Sequence, residues 1–306
     1  MNVVLGIDIG GTNTKFGLVN HSGQILDKGS LKTGKYENAS ALATEIKIRC
    51  DAYKYQITGI GIGAPNGNYY SGCIEHAPNL SWKGIVPLKQ IFEAQFGVKT
   101  VVSNDANAAA LGEMQFGVAR GMKDFLVVTL GTGLGSGFVA NGRIIYGHDG
   151  FAGELGHTIY DYEGRLCGCG RKGCLETYVS AGGIVKTVKE ILSKHKLSTQ
   201  LSQHNDLNAY KISEAALAGD EFAIEAFETT AHILAKKLAD AVAFSSPEAI
   251  ILFGGLARSG DLLLKPLQHY FEHYLLNIYK GKIKILLSSL NENDAAILGA
   301  ASLAWD

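Results

Sequence analysis

Three of the chain's five cysteines, Cys167, Cys169 and Cys174, fall within eight consecutive positions of the stretch HTIYDYEGRLCGCGRKGCLE, residues 157–176. Together with His157 they offer one imidazole and three thiolates, a donor set that suits a closed, tetrahedral structural Zn2+ site. The C-x-C step is tighter than the C-x2–4-C of ordinary zinc fingers, and Gly168, Gly170 and Gly173 supply the backbone freedom such a curl needs. With all four positions filled by protein, the ion has no place for an activated water; its expected task is to brace the loop. Glu154 stands three residues before His157, and Glu176 two after Cys174. Fixed relative to a metal, both carboxylates could accept hydrogen bonds from a polyol. His157 could ligate through one ring nitrogen and meet a hydroxyl through the other. Cys50 and Cys73 are isolated and read as packing residues.

Two glycine phrases offer a second chemistry. LGIDIGGTNTKFGLVNHSGQIL runs over 5–26, and LVVTLGTGLGSGFVANGRIIY over 126–146. Each reads as a strand, a Gly/Thr loop and a returning strand. Glycine lets backbone amides approach a ligand that a β-carbon would block, and successive amides form a concavity for anions. Thr12, Thr14 and Thr132 add hydroxyls, and Lys15 adds a point charge suited to phosphate. Asp8, just before the first loop, could hold Mg2+ through water. A glycine-rich turn is by itself most often only a turn; two matching loops in one chain, one preceded by an aspartate, point to phosphate binding. No G-x-x-x-x-G-K-[ST] occurs, and GTGLGSG lacks the G-x-G-x-x-G spacing of a dinucleotide site. GGLA at 254–257 follows an apolar run and could admit a flat base against its backbone.

A third candidate is SNDANAAALGE, 103–113. Asn104 or Asp105 stands where a helix would start and could serve only as its cap. Asp105 also falls at a strand's C-terminal end, where open α/β sheets place ligands, and could accept a hydroxyl proton there. Asn104 and Asn107 could bond neighbouring hydroxyls.

The elements that must position these residues repeat. Each glycine phrase is followed by alternating helical and strand patterns. After the first come SALATEIKIRCDAYKY, ITGIGIG and VKTVV; after the second come helices around 205–217 and 219–244, the strand AIILFGG, a helix near 261–276 and the strand KIKILL. Two such halves predict a duplicated two-lobe α/β fold with an interlobe cleft. The expected lobes are 1–118 plus 293–306, the final helix folding back on the first, and 119–292.

Composition narrows the classes. Hydrophobic residues make up 46%, and 28 Lys+Arg against 29 Asp+Glu leave a net charge of −1. That balance gives no electrostatic footprint for nucleic acid. No stretch reaches the roughly 18 apolar residues of a membrane span, and the opening apolar run is too short for a signal peptide. The expectation is a cytoplasmic protein, where reduced thiols favour metal over disulfides.

E154-L-G-H157 followed by C167-G-C-G-R-K-G-C174-L-E176 closely resembles the zinc signature of the ROK family, named for repressors, open reading frames and kinases. DIGGTNTK, GIGAPN, HAPNLSW, NDANAAALGE, LGTGLGSG and FGG resemble that family's other blocks, in its order, across essentially the whole chain. The resemblance implies an actin-like ATPase (ribonuclease H-like) fold and ATP-dependent sugar phosphorylation, most directly of glucose to glucose 6-phosphate. It implies Asp105 as general base and Asn79, Asn104, Glu154, His157 and Glu176 as sugar ligands. Asp8, Gly10, Gly11, Thr12, Gly131, Thr132 and Gly133 would handle the phosphates and Mg2+, Gly254 and Gly255 would lie near adenosine, and the assembly would be a homodimer or homotetramer. Mannose, allose, fructose, N-acetylmannosamine and N-acetylglucosamine are alternative acceptors. A sugar-sensing regulator of the family is the other class, but only nine residues precede Gly10, too few for a DNA-binding domain. One segment departs from the family pattern: APNGNYYSGCIEH stands where relatives carry P-G and an acidic or apolar pair beside the sugar.

Overall fold

In the first strand, Val3, Leu5, Ile7 and Ile9 face one apolar cluster, while Val4 joins a different one with Ile297, Leu298 and Ala301. Successive side chains of a strand point to opposite faces, so a strand apolar at nearly every position must be covered on both. The computed structural model describes residues 1–195, 201 and 206–305. These divide into two compact units: Met1–Met122 with Arg143–Gly153 and Ser289–Asp306, and Lys123–Gly142 with Glu154–Ser288.

The first unit runs β1 (Asn2–Ile9), β2 (Asn13–Val19), β3 (Ile25–Lys32), α1 (Ala39–Asp51), β4 (Gln56–Ala64), β5 (Ile74–Glu75), β6 (Ile85–Val86), α2 (Leu88–Phe96), β7 (Thr100–Asn104) and α3 (Asp105–Phe116). Its main sheet has the order β3-β2-β1-β4-β7, with antiparallel hairpins on one side and parallel β1-β4-β7 on the other. The chain then forms β8 (Phe125–Leu130), β9 (Leu134–Ala140), β10 (Arg143–Ile144), α4 (Glu176–Val179), α5 (Ala181–His195), α6 (Ala209–Leu217), α7 (Glu221–Ser245), β11 (Ala249–Phe253), α8 (Asp261–Tyr274), β12 (Lys284–Leu287) and α9 (Glu292–Ser302). The second sheet, β10-β9-β8-β11-β12, repeats the order of the first. The expected helix over 205–217 begins at Ala209, because the Asn208 side chain accepts from Lys211 N and caps it there; residue 205 lies outside the described residues. No described helix is long and apolar enough to cross a membrane.

One feature separates these units from the lobes expected from the sequence. Residues 143–153 group with the first unit, tied to it by Asn68 Nδ2 donating to Asp149 O at 2.7 Å and Tyr70 Oη donating to Gly147 O at 2.9 Å. Helix α9 also belongs to the first unit, where it packs backbone to backbone. A β-carbon on Gly61 would stand 1.8 Å from Ala300 O, one on Gly6 2.2 Å from Ile297 O, and one on Gly299 2.6 Å from Ala108 O. Hydrogen in place of a methyl at these points lets α9 wedge between the sheet and α3.

Gly61→Ala is therefore expected to overpack this seam and lower stability by about 3 kcal/mol or more, read as a fall in the urea midpoint. An unchanged midpoint would mean that the seam can open without cost.

Candidate functional site

Asp8, next to last in β1, stands in register with Lys15 of β2 on one side and Gly63 of β4 on the other. Asp105 opens α3, directly after β7. A β-carbon on Gly63 would stand 3.6 Å from Asp105 Cα and 3.9 Å from Asp8 Oδ1. The bare glycine thus lets two carboxylate-bearing residues flank one strand end. Both acids feel it. Burial pushes Asp8 up to about 7, the charge of Asp105 adds to the rise, and Lys15 opposes it. Asp105 is also raised, chiefly by desolvation, while the amides of Ala106 and of Asp105 itself pull the other way. Its residue surface is nonetheless open to solvent, so the carboxylate keeps part of its hydration and can be reached.

Asn104 does cap α3: its Oδ1 accepts from Ala106 N at 2.8 Å, and Asp105 Oδ1 accepts from the same amide. Capping engages one side of each group; Asn104 Nδ2 makes no bond among the described residues. Asn107 is buried, with its Oδ1 unpaired. In the first glycine loop, Gly10 N donates to Asn13 O, and a β-carbon on Gly11 would stand 2.5 Å from Asn79 O. Asn79, which the sequence places 68 positions after Gly11, therefore lies against that loop, exposed. Thr12 is exposed too. Thr14, read from the sequence as a donor to a ligand, is instead fully buried and bonded to Thr33 Oγ1 at 3.0 Å. Thr33 in turn donates to Gly10 O at 2.7 Å. This pair shapes the loop from below. Thr33 was not legible as a site residue, since a lone threonine after a strand has no local signal.

In the second unit, Gly131 N donates to Gly133 O, and Gly135 N to Thr129 Oγ1. Thr132 is exposed at the tip. Gly254, with φ +101°, lies against the end of β8, where a β-carbon would stand 2.8 Å from Leu130 O; Leu256 N donates to that same carbonyl. The 131–133 and 254–255 backbones therefore converge at the ends of adjacent parallel strands β8 and β11. Glu176 joins them: a β-carbon on Gly133 would stand 2.7 Å from Glu176 Oε2.

The ligand-capable atoms of His157, Cys167, Cys169 and Cys174 all lie within 4.8 Å of one another. Cys169 Sγ and Cys174 Sγ are 3.5 Å apart, and Cys167 Sγ is 3.7 Å from His157 Nδ1. Ligands bonded at about 2.3 Å to one tetrahedral ion stand about 3.7 Å apart, so the residues fit such an ion. The acid–base pattern agrees. Burial raises the thiols of Cys167 and Cys174, while Cys169, although burial acts against it, falls to about 6 through bonds from Arg171 and its neighbour thiols. Three close thiols cannot all ionise without a cation, and a bound ion would supply the missing charge. His157 Nε2 lies 3.9 Å from Glu154 Oε2, on the other edge of the ring from Nδ1. Glu176 Oε1 accepts from Cys167 Sγ at 2.9 Å.

Backbone ties curl the loop: Leu175 N donates to Thr158 O, Tyr160 N to Gly173 O and Cys167 N to Arg171 O. At Gly173, φ is +75° and a β-carbon would stand 1.5 Å from Asp161 O, so only glycine fits. Arg165, unmarked in the sequence reading, is the loop's main fastener. Its guanidinium bonds to Glu190, Thr177 O, Gly183 O and Thr187 and lies 4.4 Å from the Tyr178 ring.

A family model described as the ROK family matches residues 4–306. Among curated relatives, a glucokinase of Halalkalibacterium halodurans is 38% identical over 98% of this chain and 94% of its own length. An N-acetylmannosamine kinase of Citrobacter koseri is 29% identical over 98% of both chains. Among solved structures, a ROK family glucokinase from Streptomyces griseus in complex with glucose and AMPPNP superposes with a TM-score of 0.82, at 33% identity, over 99% of both chains. The fold is accordingly the actin-like ATPase fold of ROK sugar-kinase structures.

Cys169→Ser is expected to lose metal through desalting, read by elemental analysis, and to melt several degrees lower than the parent chain. Full metal retention would show that the other three donors suffice.

Proposed function

We propose that this chain, which belongs to the ROK family, is an ATP-dependent hexose kinase of the cytoplasm that converts glucose to glucose 6-phosphate. The observation that carries the reading is the pair of acids flanking Gly63. Asp105, raised above the usual carboxylate range yet open to solvent, takes the proton from the attacking sugar hydroxyl as the oxygen–phosphorus bond forms and the bond to ADP breaks. Asp8, beside Lys15, would hold a Mg2+ ion, which would supply positive charge against the phosphates. The amides of Gly11, Thr12, Thr132 and Gly133 cradle the phosphates, helped by Lys15, while Gly10 and Gly131, whose own amides close the two turns, hold those loops in shape. Gly254 and Gly255, free of β-carbons, admit the adenosine.

Sugar hydroxyls fall to Asn79, Asn104, Glu154, His157 and Glu176. The convergence of Cys167, Cys169, Cys174 and His157 Nδ1 supports a structural Zn2+ that fixes the two glutamates rather than reacting. Catalysis then rests on positioning and charge stabilisation, as phosphoryl transfer requires. Full-length similarity to glucokinases favours glucose over the N-acetylated alternatives. The assembly is read as a homodimer or homotetramer.

Asp105→Asn is expected to lower kcat by about 10²-fold or more with the glucose KM within a few-fold of the parent, since a positioned base contributes about 10²–10⁴-fold. A near-normal kcat in a coupled ADP-release assay would remove the assignment. The sign of the pH dependence follows from the raised pKa. The base works when ionised, so activity is full above that pKa and falls as pH drops through it. The acid limb of kcat should therefore lie above the ordinary aspartate value of about 4 and be absent from the residual activity of Asp105→Asn.

A further inference from the structure

Taking Asp105 as the base that meets the acceptor, we propose that Tyr69, backed by Tyr146, is a stacking platform for one face of the acceptor pyranose. It selects a ring whose axial C–H bonds on that face are not interrupted by an axial hydroxyl.

The placement comes from the strand ends. β4 finishes at Ala64, in register with Asn104. The chain leaves it through Gly67, where a β-carbon would stand 2.3 Å from Ser103 O. Segment 65–72 thus starts against the strand end that carries Asn104 and Asp105. Tyr146 lies there as well, its phenol beside the Ser103 hydroxyl though outside good hydrogen-bond geometry. On Tyr146 rests Tyr69, with centroids 4.0 Å apart and planes only 9° from parallel. One face of Tyr69 is therefore spent on Tyr146, yet the residue remains 42% exposed.

The platform is held rigid. Asn68, 4% exposed, donates to Asp149 O and accepts from Tyr70 N and Ser71 N. Tyr70 donates to Gly147 O and meets both rings edge-on. A β-carbon at Gly150 would stand 2.6 Å from Asn68 Oδ1, so the facing turn is moulded to this staple. Two consecutive tyrosines held out of the core by a buried asparagine expose an aromatic face that packing alone does not require.

The chemistry follows from the ring. An aromatic face is electron-rich and attracts the positive edge of C–H bonds. A hexose with every ring hydroxyl equatorial presents axial hydrogens to either side; one axial hydroxyl on the stacked side lifts the ring away and buries an unpaired donor. A single misplaced group in an apolar contact typically changes kcat/KM by about ten-fold or more. The stretch APNGNYY, where this chain departs from the family pattern, thus acquires a task.

The test measures kcat/KM for glucose, mannose, allose and galactose, whose axial hydroxyls differ in position, with the full chain and its Tyr69→Ala, Tyr69→Leu and Tyr69→Phe variants. Thermal melting confirms that each is folded. Tyr69→Ala and Tyr69→Leu are expected to raise the glucose KM and to cut the preference for glucose over at least one epimer by about five-fold or more. Tyr69→Phe, which keeps the ring, should retain the preference. Preferences unchanged in Tyr69→Ala would overturn the platform while leaving the kinase reading intact, and preferences retained in Tyr69→Leu would show that bulk rather than stacking matters and overturn it too. A parent chain that turns over none of the four sugars would remove the kinase reading itself, and the platform with it.

Discussion

Helix α9 touches β1, β4 and α3 through peptide backbone, and the position of Asp105 depends on that contact. Asp105 is the first residue of α3. Helix α3 is held by α9 where Gly112 faces Gly299, a β-carbon on Gly112 standing 2.9 Å from Gly299 Cα. Helix α9 is held by the sheet at Gly6 and Gly61, in the strands that carry Asp8 and end at Ala64, respectively. A chain of glycine contacts thus sets the distance between the two acids. Packed interiors are stiff, so the geometry of this acid pair is inherited from a seam of backbone contacts.

In the second unit, charge replaces close approach as the organising problem. Three thiols and an imidazole converge there, and Cys167 donates to Glu176. The neighbourhood tolerates that convergence because the loop is fastened independently, by Arg165 and by the bridge that pairs Ile159 with Cys174. Glu176 accepts from Cys167 and stands 2.7 Å from where a β-carbon on Gly133 would be, so one carboxylate links the cysteine loop to the glycine loop. The order of the sheet, the same as in the first unit, places this glycine loop after the first strand of its sheet, as in the first unit.

Gly63, Gly133 and Gly254 share a logic. Each is a strand-end or loop position where a missing β-carbon makes room for a functional group or a neighbouring loop. The tyrosine cluster at 69, 70 and 146 is the converse: the Tyr69 and Tyr70 rings stay exposed on a segment braced by the buried Asn68. Space is left open in one case and filled in the other.

By itself the sequence determined the element types, the duplicated pattern, the Cys/His donor set and the family. Each is written in local spacing: period-2 apolar runs, Gly/Thr turns, C-x-C with its glycines. The sequence also gave the cap at Asn104 and the candidate base beside it, because a cap acts within one helical turn. Only tertiary structure decided which of those groups meet. Thr14 looked like a ligand donor, yet its strand face turns inward to Thr33, 19 positions away. Residues 143–153 read as part of the second half, yet Asn68 and Tyr70 draw them to the first unit across more than 70 positions. Arg165 and Asn68 carried no motif at all. Spacing along the chain records what neighbours can do to one another. Contacts between distant segments are fixed by burial and by the need of every buried polar group for a partner, and these are satisfied only when the whole core closes.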